Sequence, residues 1–365
     1  MTIRNMNAMR QTEVMLELVR AAVLERQPEL PTDIEIDWDS MMDQASKQGL
    51  LAWVWDGICM LPQEQQPPRR QRINWGLSAQ EYWKEFARKK QALQYIVDTC
   101  DKNHIRVLLL KGMELSKLFP KPESRTAADI DIYLFGKYRK GNRLFSEGGV
   151  DYEGKHSTLM VKGTCVENHS NFLEPNTKQK RQIIKYVKDS LSDVVQSDMG
   201  YYYLSPIPNL VYLTFHTLKH FYEGSFLPIR NLLDFAFFLM KNEQELPQAE
   251  CQQALGQCGL SENFEFLVCL SELVLGRKLE RFHFSTLPEE CVVELKRVLY
   301  ESDGVDAENQ PQVMDVMSKY IPLNIGVTFQ SFCKSVGVHV LRFLFCVPKG
   351  QSFKETLRRR RAKKK

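Results

Sequence analysis

Two short stretches of this chain combine residue types that can handle phosphate and metal. Val107 to Leu110 is apolar and runs into Lys111 and Gly112, and Met113 to Phe119 then carries apolar residues at helical spacing until Pro120 and Pro122 stop it. The pattern predicts a strand, a tight turn and a helix. A glycine at such a turn lets the backbone approach a ligand, and the first N–H groups of the helix are unpaired donors at a positive dipole end, which favours phosphate. Further on, Asp129 to Phe135 alternates, with Ile130, Ile132 and Leu134 on one face and Asp129, Asp131 and Tyr133 on the other. The two carboxylates therefore project side by side and repel each other unless a cation lies between them. Hard oxygen donors in that arrangement suit a magnesium ion that also holds substrate phosphates. Metal ions so placed hold the attacking and leaving oxygens of a phosphoryl displacement.

An Asp-x-Asp strand seen alone is more often a solvated face, and Lys111 alone reads equally well as an exposed turn lysine. It is the combination that points to chemistry. Leu110-Lys111-Gly112 followed by Arg125-x-x-x-Asp129-x-Asp131 resembles the polymerase-beta nucleotidyltransferase superfamily, and more closely its branch of uncharacterised bacterial nucleotidyltransferases. The resemblance implies a Mg2+-dependent enzyme, with Mn2+ as the other ion, that moves a nucleoside monophosphate from a nucleoside triphosphate to a hydroxyl acceptor. That acceptor is a small molecule, a protein side chain or a nucleic-acid end.

The superfamily has a third carboxylate on a later strand. Here His156 to Val161, a Lys162-Gly163 turn and Thr164 to His169 read as a hairpin, and the third carboxylate carries over to Glu167, with His169 as its neighbour. Asp129, Asp131 and Glu167 are thus the expected metal ligands and catalytic groups. Glu167 is also placed to take a proton from the acceptor. Lys111, Gly112 and Arg125 are the expected triphosphate-binding residues. The superfamily more widely has serine after the glycine where this chain has Met113, so phosphate binding falls to Lys111, Arg125 and the helix-start amides.

A looser part of the resemblance is His216-x-x-Lys219-His220 followed by Arg230 and Asp234. These polar groups lie among apolar helical residues and need partners if buried. Either they form a structural hydrogen-bonded cluster, which is the favoured reading, or they face the nucleotide with Lys219 or Arg230 on a phosphate. His216 and His220, four apart on one helix face, have metal-ligand spacing but no third ligand in a telling position.

The elements that must position these residues follow from apolar periodicity. Helices are expected over Met6 to Leu24, Asp39 to Met60 and Ile73 to Asn103, with a polar, proline-bearing linker from Pro62 to Arg70. Lys178 to Ser197 is ambiguous between helix and strand, and Tyr201 to Leu204 reads as a short strand or an extended lead-in. Helices are expected again from Pro208, over Leu232 to Met240, Cys251 to Leu275, Glu289 to Tyr300, Val313 to Tyr320 and Phe329 to Phe345. The predicted architecture is α+β: a helical segment at 1–105, a small mixed-sheet nucleotidyltransferase core at 106–176, a helical bundle at 177–348 and a basic tail at 349–365.

Composition sets the outer bounds. With 43% hydrophobic and 26% charged residues, the 365-residue chain has the make-up of a globular protein with enough material for sizeable cores. Its nine cysteines include no Cys-x-x-Cys pair, so neither a disulfide framework nor a zinc ribbon is indicated. Met1 to Gln11 lacks the apolar block of a secretory signal, and the apolar run Val336 to Val347 is short and interrupted by His339 and Arg342. A cytoplasmic location is expected. The net charge of +4 is concentrated at the end, where Gln351 to Lys365 holds eight of the 49 basic and one of the 45 acidic residues. That tail is either a solvated end or a contact for nucleic-acid phosphate or an anionic membrane surface. Two other functional classes stand beside the transferase: a non-catalytic module that senses a nucleotide or a partner, and a tail-driven factor for which the core is a scaffold.

Overall fold

The computed structural model describes residues 3–126, 128–146, 149–222 and 228–282, giving the backbone alone for 3–9, 153 and 220–222. The helices expected after residue 282 and the basic tail lie outside the described residues. The fold is mixed α+β. Among the described residues no helix is long and apolar enough to cross a membrane.

The chain opens with α1 (Ile3–Leu24), α2 (Trp38–Gln48), α3 (Leu51–Met60) and the 34-residue α4 (Arg69–Lys102). The single helix expected over Asp39 to Met60 is two. Gly49 adopts a left-handed conformation at φ 71°, and the N–H of Leu50 reaches back to the carbonyl of Ala45, which closes α2 and lets α3 start in a new direction. α3 crosses α1 at Gly57, where a Cβ would stand 2.2 Å from the Leu18 carbonyl oxygen. Only glycine allows the two backbones to come this close.

After α4 come β1 (Leu108–Leu109), α5 (Met113–Ser116), β2 (Ile130–Tyr133), α6 (Tyr138–Leu144), β3 (Val150–Glu153), β4 (His156–Val161) and β5 (Thr164–His169). Next are α7 (Lys178–Asp189), β6 (Val195–Gln196) and β7 (Tyr202–Tyr203). The strands form one sheet in the order β3-β4-β5-β2-β1-β7-β6, with β2 parallel to β5 and antiparallel to β1. The expected β4–β5 hairpin is present. The helix expected over Met113 to Phe119 is a single turn, since Leu118 and Phe119 tighten into i→i+3 bonds. This swings Phe119 into the core between Trp53 and Phe237, at ring-centroid distances of 4.6 and 4.4 Å.

Side-chain alternation along β2 separates two cores. Ile130, Ile132 and Leu134 join Val107, Leu109, Leu159 and Val166 beneath the C-terminal half of α4 (Leu93, Ile96, Val97). Tyr133, with Leu108 and Leu110, faces a larger cluster built with α8 (Pro206–Tyr222), α9 (Ile229–Lys241), α10 (Gln248–Gln257) and α11 (Ser261–Leu275). The carboxylates of β2 therefore open toward the helices, not toward α4. α10 and α11 replace the continuous helix expected over Cys251 to Leu275, because Gly259 turns the chain at φ 63°.

Candidate active site

The sheet order brings the expected residues together. Asp131 on β2 pairs in register with Glu167 on β5, and one carboxylate oxygen from each of Asp129, Asp131 and Glu167 lies within 4.8 Å of the other two. They border a cleft of about 290 Å³ that Gly112 and Arg125 also line, with His216, Thr217, Lys219, Arg230 and Asp234 on the helical side.

Asp131 is buried and doubly held. Lys111 Nζ is 2.9 Å from its Oδ2, and His169 Nε2 is 3.0 Å from its Oδ1. Burial opposes its ionisation, but Lys111 and His169 outweigh burial and keep the carboxyl well below its usual range. Lys111 responds in kind, its ammonium favoured by Asp131 and Asp129 in spite of burial. Asp129 is pushed the other way, first by burial and then by the neighbouring Asp131 charge. Glu167 has His169 Nε2 at 3.3 Å and His156 Nε2 at 3.5 Å, and these favour its charged form against burial.

This donor set suits a hard divalent cation. Three carboxylates offer oxygen ligands, and the Asp131 charge that adds to burial in raising Asp129 is one that such an ion offsets. His156, Glu167 and His169 form a second cluster within reach of one ion, but the His169 nitrogen that faces it already contacts Asp131.

The phosphate side differs from the sequence expectation in its details. Gly112 has φ 61° and ψ −102°, a conformation that glycine alone adopts readily. α5, at four residues, is too short to sum an appreciable dipole. The Met113 side chain is buried in the core under α4. Lys111 sits on Asp131. Arg125 lines the cleft, yet its fork is engaged by Asp234: Nε donates to Oδ1 at 2.8 Å and Nη2 to Oδ2 at 2.6 Å, with both side chains almost fully buried. Because Arg125 occupies both oxygens of Asp234, the neighbouring Arg230 pairs with no carboxylate among the described residues. Its Nη1 donates to the Thr126 carbonyl at 3.0 Å, while its buried Nε has no hydrogen-bond partner among the described residues. Burial and then the adjacent Arg125 charge disfavour the Arg230 cation. The cleft thus holds one guanidinium whose charge is poorly compensated.

His216 also lines the cleft, its ring 5.7 Å from that of Tyr212, whereas the His220 side chain lies outside the described residues. Lys155, in the β3–β4 turn, was not singled out in the sequence because nothing local marks it. Its ammonium is drawn down to about 8, by burial and then by Lys219 and Lys111.

A glycine turn after one strand, paired carboxylates on the next and a third on a strand parallel to it meet in one corner between a sheet and a helical layer. The family model for uncharacterised nucleotidyltransferases matches residues 35–276, well over half of the sequence, and the chain belongs to that family. No curated protein and no solved structure matches the chain.

Proposed function

We propose that the cleft binds a nucleoside triphosphate with magnesium, Mn2+ being the other candidate ion, and transfers the nucleoside monophosphate to a hydroxyl acceptor. The observation that carries this proposal is the convergence of Asp129, Asp131 and Glu167 with Gly112 and Arg230 on one cleft. Asp129, Asp131 and Glu167 would hold the ion. When bound, it neutralises phosphate charge and acidifies the acceptor hydroxyl. Arg230 takes a phosphate oxygen of the leaving group, which gives its guanidinium the counter-charge it lacks. Lys111 and His169 keep Asp131 ionised. The acceptor oxygen bonds to the α-phosphorus and the bond from that phosphorus to the bridging β-oxygen breaks. Pyrophosphate leaves, and the hydroxyl proton passes through Glu167 to solvent.

A second reading, a module that binds nucleotide without transferring it, is favoured by Met113, whose buried thioether offers no hydroxyl to phosphate. Calorimetry with the four ribonucleoside triphosphates tests both. Metal-dependent binding is expected for the wild type, with loss in Asp129→Asn/Asp131→Asn and about tenfold weakening in Arg230→Met. If no triphosphate binds with or without metal, both readings fail. Metal-dependent binding without pyrophosphate release in the presence of any acceptor leaves the sensing module.

A further inference from the structure

We propose that the acceptor is a small molecule carrying a phosphate or carboxylate group, and that this anion seats between Lys155, Lys180 and Lys219 in a cavity that continues the cleft beyond His156. The inference rests on the nucleotidyl-transfer reading and names the class of its second substrate.

The cavity measures about 240 Å³ and shares Lys155, His156 and Lys219 with the carboxylate cleft. Leu173 and Phe215 give it an apolar wall, and Glu174 is the only carboxylate among its described lining residues. Three lysines converge on one small cavity, and such a convergence of ammonium groups attracts anions. Lys219 is close enough to disfavour the charge of Lys155, so an anion between them relieves repulsion already present in the protein.

Position fixes which substrate the cavity serves. Across the sheet the order is β4, β5, β2, β1, so the lysine turn before β4 and the glycine turn after β1 lie on opposite sides of the carboxylates of β2 and β5. In-line displacement needs the attacking oxygen and the leaving pyrophosphate on opposite sides of the α-phosphorus. With pyrophosphate on the Gly112 side, the acceptor enters from the Lys155 side, next to Glu167.

The lysines stand on fixed backbone. The Lys155 carbonyl accepts from both the N–H and the hydroxyl of Ser170, each at 2.8 Å. Lys180 follows the capped start of α7, where its N–H donates to Thr177 Oγ1 at 3.1 Å. The cavity has room for a compact polyol phosphate or hydroxy acid, whose anion reaches the lysines while its hydroxyl faces the carboxylates. The product is the acceptor oxygen joined to the nucleoside monophosphate, with pyrophosphate released.

The test uses the full chain with Mg2+ and the α,β-methylene analogue of whichever triphosphate binds, titrated with glycerol 3-phosphate, glycerate and glycerol. Both anions are expected to bind and glycerol is not. Lys180→Met should weaken the anions about tenfold, and Lys180→Arg should restore them. The inference is overturned if glycerol binds as well as the anions, if neither anion binds, or if Lys180→Met leaves anion binding unmoved. It is equally overturned if Lys180→Met weakens the triphosphate itself, for then the cavity belongs to the nucleotide. Titrating the anions without nucleotide separates the two levels. Anion binding in a chain that binds no triphosphate refutes transfer, and triphosphate binding without anion binding refutes the cavity alone.

Discussion

Asp234→Ala should be among the most damaging single substitutions in the described structure, and far worse than Arg125→Met at the other end of the same ion pair. Asp234 and Arg125 meet through two hydrogen bonds of 2.8 and 2.6 Å, with side chains 8% and 5% exposed. Two unit charges about 4 Å apart at an effective permittivity near 20 attract by roughly 4 kcal/mol. Removing one partner of such a buried pair costs about 3–5 kcal/mol, since the other charge stays buried and alone. Deleting Asp234 leaves two arginines, Arg125 and Arg230, facing each other with only the more distant Asp129 charge, among the described residues, to offset them. Deleting Arg125 instead leaves Asp234 beside Arg230, whose charge it already favours, so the cost falls to about 1–3 kcal/mol. The joint change Arg125→Met/Asp234→Leu should recover most of the loss because nothing charged is stranded except Arg230. Urea denaturation followed by circular dichroism reads all three, through midpoints at constant m. A loss below 1 kcal/mol for Asp234→Ala, or a double variant no more stable than that single one, would refute the reasoning.

Two other perturbations follow from the geometry. Asp129 is more easily protonated in the folded protein than in the unfolded chain, so its contribution to stability falls as pH rises past its unfolded value of 3.8 and through the folded one, and stays unfavourable above. Asp129→Asn should therefore raise the metal-free thermal midpoint at neutral pH, by about 1 kcal/mol or less, and abolish stabilisation by Mg2+; a lower metal-free midpoint would contradict this. Gly57→Ala inserts a methyl 2.2 Å from the Leu18 carbonyl oxygen and should cost about 2–3 kcal/mol by thermal denaturation, whereas an unchanged midpoint would mean that α1 and α3 separate freely.

The carboxylate corner was legible because its signals are local. Alternation in Asp129 to Phe135 gives the face of each side chain on β2, and the hairpin pattern places Glu167 on β5. What brings them into contact is the parallel β2–β5 pairing, a long-range choice that no window of sequence contains. The same limit explains the arginines. Arg125 stands close before the aspartates and looks like the phosphate ligand, while Arg230 lies more than a hundred residues later; only the fold shows Asp234 occupying the first and leaving the second with unused donors. Helix boundaries failed where glycine intervened. Gly49 and Gly259 sit inside apolar patterns that otherwise continue, and periodicity does not register a left-handed residue. Lys155 and Lys180 lacked any motif, since their relation to the cleft arises from the turn before β4 meeting the start of α7.

Arg20 gives the fold a history in time as well as a shape. From α1 it donates to the carbonyls of Val274 and Leu273 at the end of α11, at 2.8 and 3.2 Å, across more than 250 residues of sequence. The apolar side of α1, which includes Val14, Leu18 and Val19, belongs to the same cluster as Val274 and Leu275. During synthesis at about 5–20 residues per second, this part of α1 waits roughly 13–50 s for α11 to leave the ribosome. Until then α2 and α3 shield it. α1 thus takes its final seat only after nearly the whole family-matched region has been translated.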